Sequence, residues 1–139
     1  MSKRNVLLAL AALLITAGSA YARSFKFQVP FQFTIDKMVM PAGYYWIESS
    51  DVSRSVIIQG SDRQTASKSF FNSDTVESLD AQYKAKLIFH CYSGSCFLSQ
   101  VWTGNKVGRQ LTESSQELQL AKQGTEPRVR SLAALQSVK

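Results

Sequence analysis

Residues 83–102 read YKAKLIFHCYSGSCFLSQVW, two apolar runs joined by Ser93-Gly94. A serine-glycine pair between such runs predicts a β-hairpin with a two-residue turn. The cross-strand pairs that this turn predicts are Cys91 with Cys96, Phe89 with Leu98, and His90 with Phe97. One face then carries Leu87, Phe89, Cys91, Cys96, Leu98 and Trp102, and the other carries Ile88, His90, Tyr92, Phe97 and Val101. Because both faces are largely apolar, we expect a central strand pair covered on two sides.

The segment before the hairpin also has the pattern of strands. From Phe25 to Ile35 every odd position is apolar, which predicts a long strand with one buried face. Pro30 cannot donate a ladder hydrogen bond, so this strand is expected to lie at an edge, to bend, or to split there. Further strands are predicted at 44–47, 55–59 and 106–111, with one that ends at 70–71. Residues 72–81 are predicted to be a loop, with one helical turn around 76–79 as an option.

After the last strand the pattern becomes helical. Ser114 to Glu117 form a capping box, Leu118 and Ala121 are spaced for one apolar face, and Gly124 supplies a stop. A short helix is therefore expected to close a β domain that spans residues 23–124. Residues 125–139 are predicted to be a tail, either with a second helical turn at 132–135 or frayed.

The first 22 residues have the three parts of a cleavable secretory signal. Lys3-Arg4 is the positive segment, Val6 to Ala17 the apolar core, and Ala20-Tyr21-Ala22 the A-x-A cleavage pattern. The apolar run is shorter than the about 20 residues that a membrane span needs. The sequence predicts that the signal is removed, that the chain then starts at Arg23 without a transmembrane segment, and that it resides in the periplasm or outside the cell.

Net charge gives little support to a nucleic-acid partner. The chain has 16 Lys and Arg against 10 Asp and Glu, for a net charge of +6, and loss of the leader with Lys3 and Arg4 lowers it to +4. The basic residues are scattered rather than interleaved with aromatic residues, which argues against a nucleic-acid surface. No glycine-rich phosphate loop occurs, and no cofactor is predicted.

The two cysteines are predicted to form a disulfide. Cys91 and Cys96 are the only cysteines and are directly opposed in the predicted hairpin, where Cα atoms lie about 4.5 Å apart. An exported protein meets an oxidising compartment, which favours the bridge. A metal site needs more ligands than two thiols and His90, whose side chain leaves the opposite face of the strand.

His90 is the only histidine and the residue that an enzyme would most need. It cannot pair with Cys91, because neighbours in a strand point to opposite faces. No carboxylate is predicted on its face, and Glu113 and Glu117 have the spacing of a solvated helix start. His90 is therefore expected to be a sheet residue packed against Phe97. The alternative is a small hydrolase or lyase that uses His90 and carboxylates in a cleft.

Two further residues are candidates for a site. Arg109 follows Gly108 near the end of the last strand and is expected to hold Glu113 or Glu117 of the helix, or else to be an exposed surface arginine. Trp102 belongs to an aromatic set that either lines a ligand cavity or forms the core, and we expect core. The rest of this set is Tyr44, Tyr45, Trp46 and the phenylalanines of the first strand.

Several spaced blocks carry a family resemblance. They are VPFQF at 29–33, MPAGYY at 40–45, KLIFH at 86–90, the run from Phe97-Leu98 to Trp102, and GRQL at 108–111. This pattern resembles a family of small exported bacterial proteins, abundant in soil acidobacteria, with VPFxF, LPAGxY, KL[VI]FH and GRxL blocks. The resemblance implies an exported all-β domain and no particular activity. The chain departs from the pattern at Met40, where the family has leucine, and in its cysteines, so the disulfide is expected to be peculiar to this member.

These patterns together predict an antiparallel all-β domain of about seven strands, either a small open barrel or a two-sheet sandwich, with one C-terminal helix. The first functional hypothesis is an exported, non-enzymatic domain that binds an unidentified partner or ligand through its sheet surface or an open end. The His90 enzyme is the second. A carrier for an apolar molecule is the third, and it requires an empty interior.

Overall fold

The computed structural model describes residues 24–61, 67–78, 84–104, 106–124 and 126–138, so the predicted leader and its cleavage site lie outside the described residues. Within these ranges the chain forms eleven strands and one helix. The strands are β1 Ser24–Val29, β2 Phe33–Ile35, β3 Met38–Met40, β4 Gly43–Ser50, β5 Ser55–Gly60, β6 Lys68–Glu77, β7 Ala85–Tyr92, β8 Ser95–Thr103, β9 Val107–Leu111, β10 Arg128–Ala133 and β11 Gln136–Val138, and the helix is α1 Ser115–Lys122. The all-β prediction with one short helix is confirmed.

The strands form one large mixed sheet. Its order is β10-β7-β8-β9-β6-β5-β4-β1-β11, all antiparallel, while β2 pairs with β3 and meets β8 in parallel at Thr34 and Phe97. No ladder joins β10 to β11 in the described part of the chain, so the sheet is not closed into a barrel. The two residues between these strands, Ala134 and Leu135, nevertheless bond to β7 near one end of the sheet order and to β1 near the other. Ala134 N donates to Ala85 O and Leu135 N donates to Lys26 O, at 3.0 and 2.7 Å.

The strand count exceeds the predicted seven for identifiable reasons. Pro30 splits the first predicted strand into β1 and β2, as one of the three expectations for it required. The short strand β3 was not predicted. Residues 72–77 are strand rather than loop or helical turn, because β6 pairs with β5 through its first half and with β9 through its second. Ladder bonds from another part of the chain thus override the weak local pattern.

The C-terminal segment is also extended, which corrects the prediction of a helical turn or a frayed tail. Strand β10 pairs with β7 along its full length, and β11 pairs with β1. Leu132 lies opposite Leu87 and packs against the core. The apolar run at 132–135 suggests a helix locally, but the free backbone groups of β7 and β1 offer this segment a complete set of hydrogen bonds as strand.

The register of the central hairpin is confirmed near the turn and wrong beyond it. The pairs Cys91–Cys96, His90–Phe97 and Phe89–Leu98 are present. A β-bulge between Ile88 and Phe89 then shifts the register, so that Leu87 faces Val101 and Lys86 faces Trp102. One extra residue in a strand exchanges the two faces of everything that follows. Val101 therefore lies in the core, and Trp102 lies on the opposite face.

The core is built mainly from the predicted alternating positions. In the first segment all the odd positions except the half-buried Phe31 are buried. The ring centroid of Phe33 lies 5.3 Å from that of Tyr45 and 5.5 Å from that of Phe89, both edge to face. Side chains therefore occupy the centre that a carrier for an apolar molecule would need to keep empty.

Helix α1 begins as the capping box predicts, but the face that it buries is not the predicted apolar face. Ser114 is the N-cap, and its hydroxyl accepts a hydrogen bond from Glu117 N at 3.2 Å. Leu118, expected on the apolar face, is 44% exposed, whereas Glu117 is 4% exposed. No helix in the described ranges is long and apolar enough to cross a membrane.

Candidate functional site

His90 and Glu117 meet on the outer side of the β7–β8 hairpin. His90 lies in β7 opposite Phe97, and Glu117 lies in the first turn of α1. Their Nδ1 and Oε1 atoms are 3.8 Å apart, and the two side chains are 26% and 6% exposed. The expectations that His90 has no carboxylate on its face and that Glu117 is solvated are both wrong. Strand register accounts only for sheet residues, whereas this carboxylate arrives from the helix.

The environment of Glu117 makes its proton affinity unusual. Burial raises the pKa of Glu117 from 4.5 to about 7, and the Glu113 carboxylate adds to the rise. Its buried Oε1 accepts no hydrogen bond, so this oxygen has lost water without gaining a donor. On the same side Tyr92 has a pKa raised by burial and by these two glutamates. A carboxyl whose pKa is near 7 changes its protonation state around physiological pH.

His90 and Glu117 line none of three surface cavities, which lie beside Trp46, beside Phe71 and beside the Cys91–Cys96 disulfide. Of the two side chains, His90 is the more exposed. Among the described residues no three His, Cys, Asp or Glu side chains gather as a metal site would require.

Arg109 takes a different place from either expectation. It is neither a surface residue nor a partner of Glu113 or Glu117, because its side chain is on the core side of β9 and is 1% exposed. Nε donates to Ser73 Oγ at 2.8 Å, Nη2 to Ser73 O at 2.6 Å and Nη1 to Thr75 Oγ1 at 3.0 Å. Nη1 also contacts the exposed Asp51 at 3.4 Å. Arg109 thus fastens β6 to β9 and to the β4–β5 turn.

Trp102 has a structural role on the outer side of β8. It is 4% exposed, and its Nε1 donates to Gln100 Oε1 at 2.9 Å. The indole covers Gly108 so closely that a Cβ built there would lie 2.7 Å from Cδ2 of the ring. Glycine is therefore required where the tryptophan packs on β9. Trp102 lines none of the three cavities.

The disulfide borders a groove at one end of the sheet. Cys91 and Cys96 form the predicted disulfide, and their Cα atoms are 4.0 Å apart. Beside them lies a cavity of ≈ 400 Å³ lined by Phe31, Gln32, Cys91, Ser93, Gly94, Cys96, Arg128 and Arg130. We call this the disulfide groove. Its two charged residues are both arginines. Another cavity, of ≈ 280 Å³, lies around Ile35, Asp36, Phe71 and Leu111.

A second candidate surface is the outer face of strands β1, β4, β5 and β6. The register places side by side the residues Lys26, Gln28, Tyr44, Trp46, Glu48, Ile57, Gln59, Lys68 and Phe70. We call this set the aromatic face. Tyr44 is 44% exposed and Phe70 67%, so the expectation that Tyr44 and its neighbour Trp46 belong to the core is wrong, although Tyr45 between them is buried.

The aromatic face is ordered by its own contacts. The Lys26 ammonium lies 5.2 Å from the ring centroid of Tyr44 and 5.5 Å from that of Trp46, within the range of cation–π attraction. A groove of ≈ 200 Å³ runs beside Trp46 and is lined by Ser24, Trp46, Glu48, Ile57, Gln59 and Lys68. Rings held in place before binding lose little conformational freedom on contact with a ligand.

Sequence reasoning missed both of these surfaces, and each had a signal. In Tyr44-Tyr45-Trp46 the period of a strand requires that Tyr44 and Trp46 leave one face and Tyr45 the other. In Arg128 to Leu132 the even positions are Arg, Arg and Leu, which share the core side once the segment is strand. The apolar run at 132–135 concealed that alternation.

Comparison with known proteins adds no further information on this site. No protein-family model, no curated protein and no solved structure matches the chain.

Proposed function

We propose that this chain is an exported, non-enzymatic binding domain and that its aromatic face recognises a glycan. The observation that carries the proposal is a set of three aromatic rings, the exposed Tyr44 and Phe70 and the half-buried Trp46, on a sheet face whose opposite side forms the core. Large aromatic side chains normally lie inside a domain of this size, and exposed apolar patches mark interaction sites.

The arrangement of the face favours a carbohydrate over a protein partner. Apolar and polar side chains are mixed on this face, with Tyr44 beside Gln28, Trp46 between Lys26 and Gln59, and Ile57 between Glu48 and Phe70. A sugar presents the same combination, since its ring faces are apolar and its edges carry hydroxyl groups. Flat aromatic rings pack against the apolar faces of the sugar ring, and carboxylate and amide groups bind its hydroxyl groups.

Export is part of the proposal. It is supported by the leader-like residues 1–22, by the Cys91–Cys96 disulfide and by the resemblance to exported bacterial proteins. Intact-mass measurement of the protein recovered outside the cytoplasm is expected to give a chain that starts at Arg23. A chain that retains Met1 or Ser2 contradicts cleavage.

Binding is tested directly with soluble and insoluble polysaccharides. The folded protein is expected to bind at least one with saturation and with a change in Trp46 fluorescence, while the buried Trp102 contributes a constant background. Tyr44→Ala and Phe70→Ala should each weaken binding by about tenfold or more, as loss of a stacked ring normally does. Val52→Ala, at a 99% exposed turn position, is the matched control and should leave binding unchanged. Binding that survives a Tyr44→Ala, Phe70→Ala double variant would place the site elsewhere.

A second candidate is favoured by one specific observation, the 3.8 Å approach of Glu117 to His90. This contact places a carboxyl group beside His90, as an acid–base enzyme requires, at a distance longer than a hydrogen bond. Under the binding proposal, the His90→Gln variant is somewhat less stable than wild type. Any activity that a broad substrate screen finds in wild type is expected to remain in this variant. An activity that disappears in a folded His90→Gln protein would replace the binding proposal with the enzyme.

A further inference from the structure

The disulfide groove has a composition that none of the functions above uses. Arg128 lies opposite Cys91 and Arg130 opposite Phe89, so both arginines are on the core side of β10. Alternate residues of a strand lie about 7 Å apart, which lets both guanidinium groups reach the same ligand. The other lining residues are uncharged.

No ion pair between described residues includes either arginine. The carboxyl groups of Glu117 and Asp51 lie beside His90 and Arg109 instead. The Arg130 guanidinium instead lies 4.2 Å from the ring centroid of Phe31, which packs edge to face on Phe89 at 5.0 Å. Arg130 is therefore positioned by the half-buried ring of Phe31, which packs on the buried Phe89, and keeps its hydrogen-bond donors for another group.

We propose that the disulfide groove binds a small organic oxyanion. Arg128 and Arg130 hold its carboxylate or phosphate group, and Phe31 and the disulfide contact its apolar part. Guanidinium groups bind carboxylate and phosphate oxygens through paired N–H donors, and these charge-assisted bonds are stronger than neutral ones. The groove, at ≈ 400 Å³, is in the size range of small-molecule sites. Because it shares no residue with the aromatic face, this inference is independent of glycan binding.

The test is titration of the full exported chain with phenyl phosphate, benzoate, inorganic phosphate and neutral phenol. Calorimetry and backbone amide NMR measure the binding of each compound. We expect saturable binding of phenyl phosphate and benzoate, weaker binding of inorganic phosphate, and no binding of phenol. The amide signals of Ser93, Gly94 and Arg128 should shift. Binding should weaken as salt is raised, because charge attraction is screened.

Variants assign the binding to the two arginines. An Arg128→Gln, Arg130→Gln double variant should bind phenyl phosphate at least about tenfold more weakly. The charge-matched control is Lys84→Gln, Lys122→Gln, which removes two exposed cations elsewhere and should change affinity less than about twofold. Arg130→Lys keeps the charge and loses the paired donors, so it should bind more weakly than wild type even if the glutamine variants fail to fold.

Two results would overturn the inference. One is the absence of saturable phenyl phosphate and benzoate binding, as expected if the arginines only shield the edge of β10 from pairing with other chains. The other is equal binding by the double variant and its control. Vesicles of phosphatidylglycerol distinguish the source of the anion. Vesicle binding that phenyl phosphate competes away assigns it to a lipid headgroup, and phenyl phosphate binding without vesicle binding assigns it to a soluble molecule.

Discussion

Glu117 Oε1 lies 3.8 Å from His90 Nδ1 and has no hydrogen-bond partner. The helix that carries Glu117 is capped by Ser114, so the position of the carboxyl is set by the start of the helix and not by attraction to the histidine alone. A glutamate is thereby buried where an uncharged side chain would lose less solvation. This relationship makes the stability of the fold depend on pH.

The first prediction concerns that pH dependence. The unfolded chain releases the Glu117 proton near 4.5, whereas the folded chain holds it up to about pH 7. The contribution of this proton to stability is thus complete below pH 4.5 and is lost as pH rises to 7. Glu117→Gln mimics the neutral carboxyl, so its unfolding free energy should rise by about 3 kcal/mol relative to that of wild type between pH 4 and pH 8 in urea denaturation.

The comparison with Glu117→Gln cancels the titration of the groups that do not interact with Glu117. If His90 and Glu117 formed a favourable ion pair instead, wild type would be the more stable protein near pH 6. A difference in unfolding free energy that stays constant across this range, or that has this opposite sign, contradicts the prediction.

The second prediction concerns Arg109. Arg109→Ala removes donors from Ser73 O, Ser73 Oγ and Thr75 Oγ1 and leaves a cavity between β6 and β9. We expect a loss of about 2–4 kcal/mol in unfolding free energy. Asp51→Asn is the control, because Asp51 is 72% exposed and its ion pair should contribute less than about 1 kcal/mol. Equal losses in the two variants would mean that the ion pair, and not the buried hydroxyl contacts, anchors Arg109.

The third prediction tests the approach of Trp102 to β9. Gly108→Ala places a Cβ 2.7 Å from the indole, so the ring or the strand must move, at a cost of about 1–3 kcal/mol. Gly43→Ala is the matched control, since its Cβ would meet only Tyr45 Cε2 at 4.0 Å. Thermal unfolding of the two variants should separate them by several degrees. Indistinguishable midpoints would show that the indole has room to shift.

The fourth prediction concerns the disulfide. The loop that Cys91 and Cys96 close has a sequence separation of 5, so in the chain-entropy model the bridge contributes only about 2 kcal/mol. The Cys91→Ser, Cys96→Ser double variant is expected to fold with a lower urea midpoint, and labelling of the denatured, non-reduced wild type should find no free thiol. A double variant without cooperative unfolding would mean that the bridge is essential for the fold.

The local sequence pattern was sufficient to predict several elements of this fold. The alternation from Phe25 to Ile35 identified the buried side of β1 and β2, and Pro30 marked where they separate. The Ser93-Gly94 turn identified the disulfide pair, and Ser114 identified the start of the helix. Each of these follows from side-chain period, turn geometry or capping, which act over a few residues and are therefore readable in one segment of the chain.

Tertiary structure decided which residues meet at the candidate sites. The β-bulge moved Trp102 to the outer face, the pairing with β7 turned Arg128 and Arg130 toward the groove, and the return of α1 brought Glu117 to His90. Arg109 is buried because Ser73 and Thr75 of another strand satisfy its donors. In each case the deciding partner is distant in sequence. Backbone hydrogen bonds and burial depend on which segments become neighbours, and no periodicity within one segment specifies that neighbour.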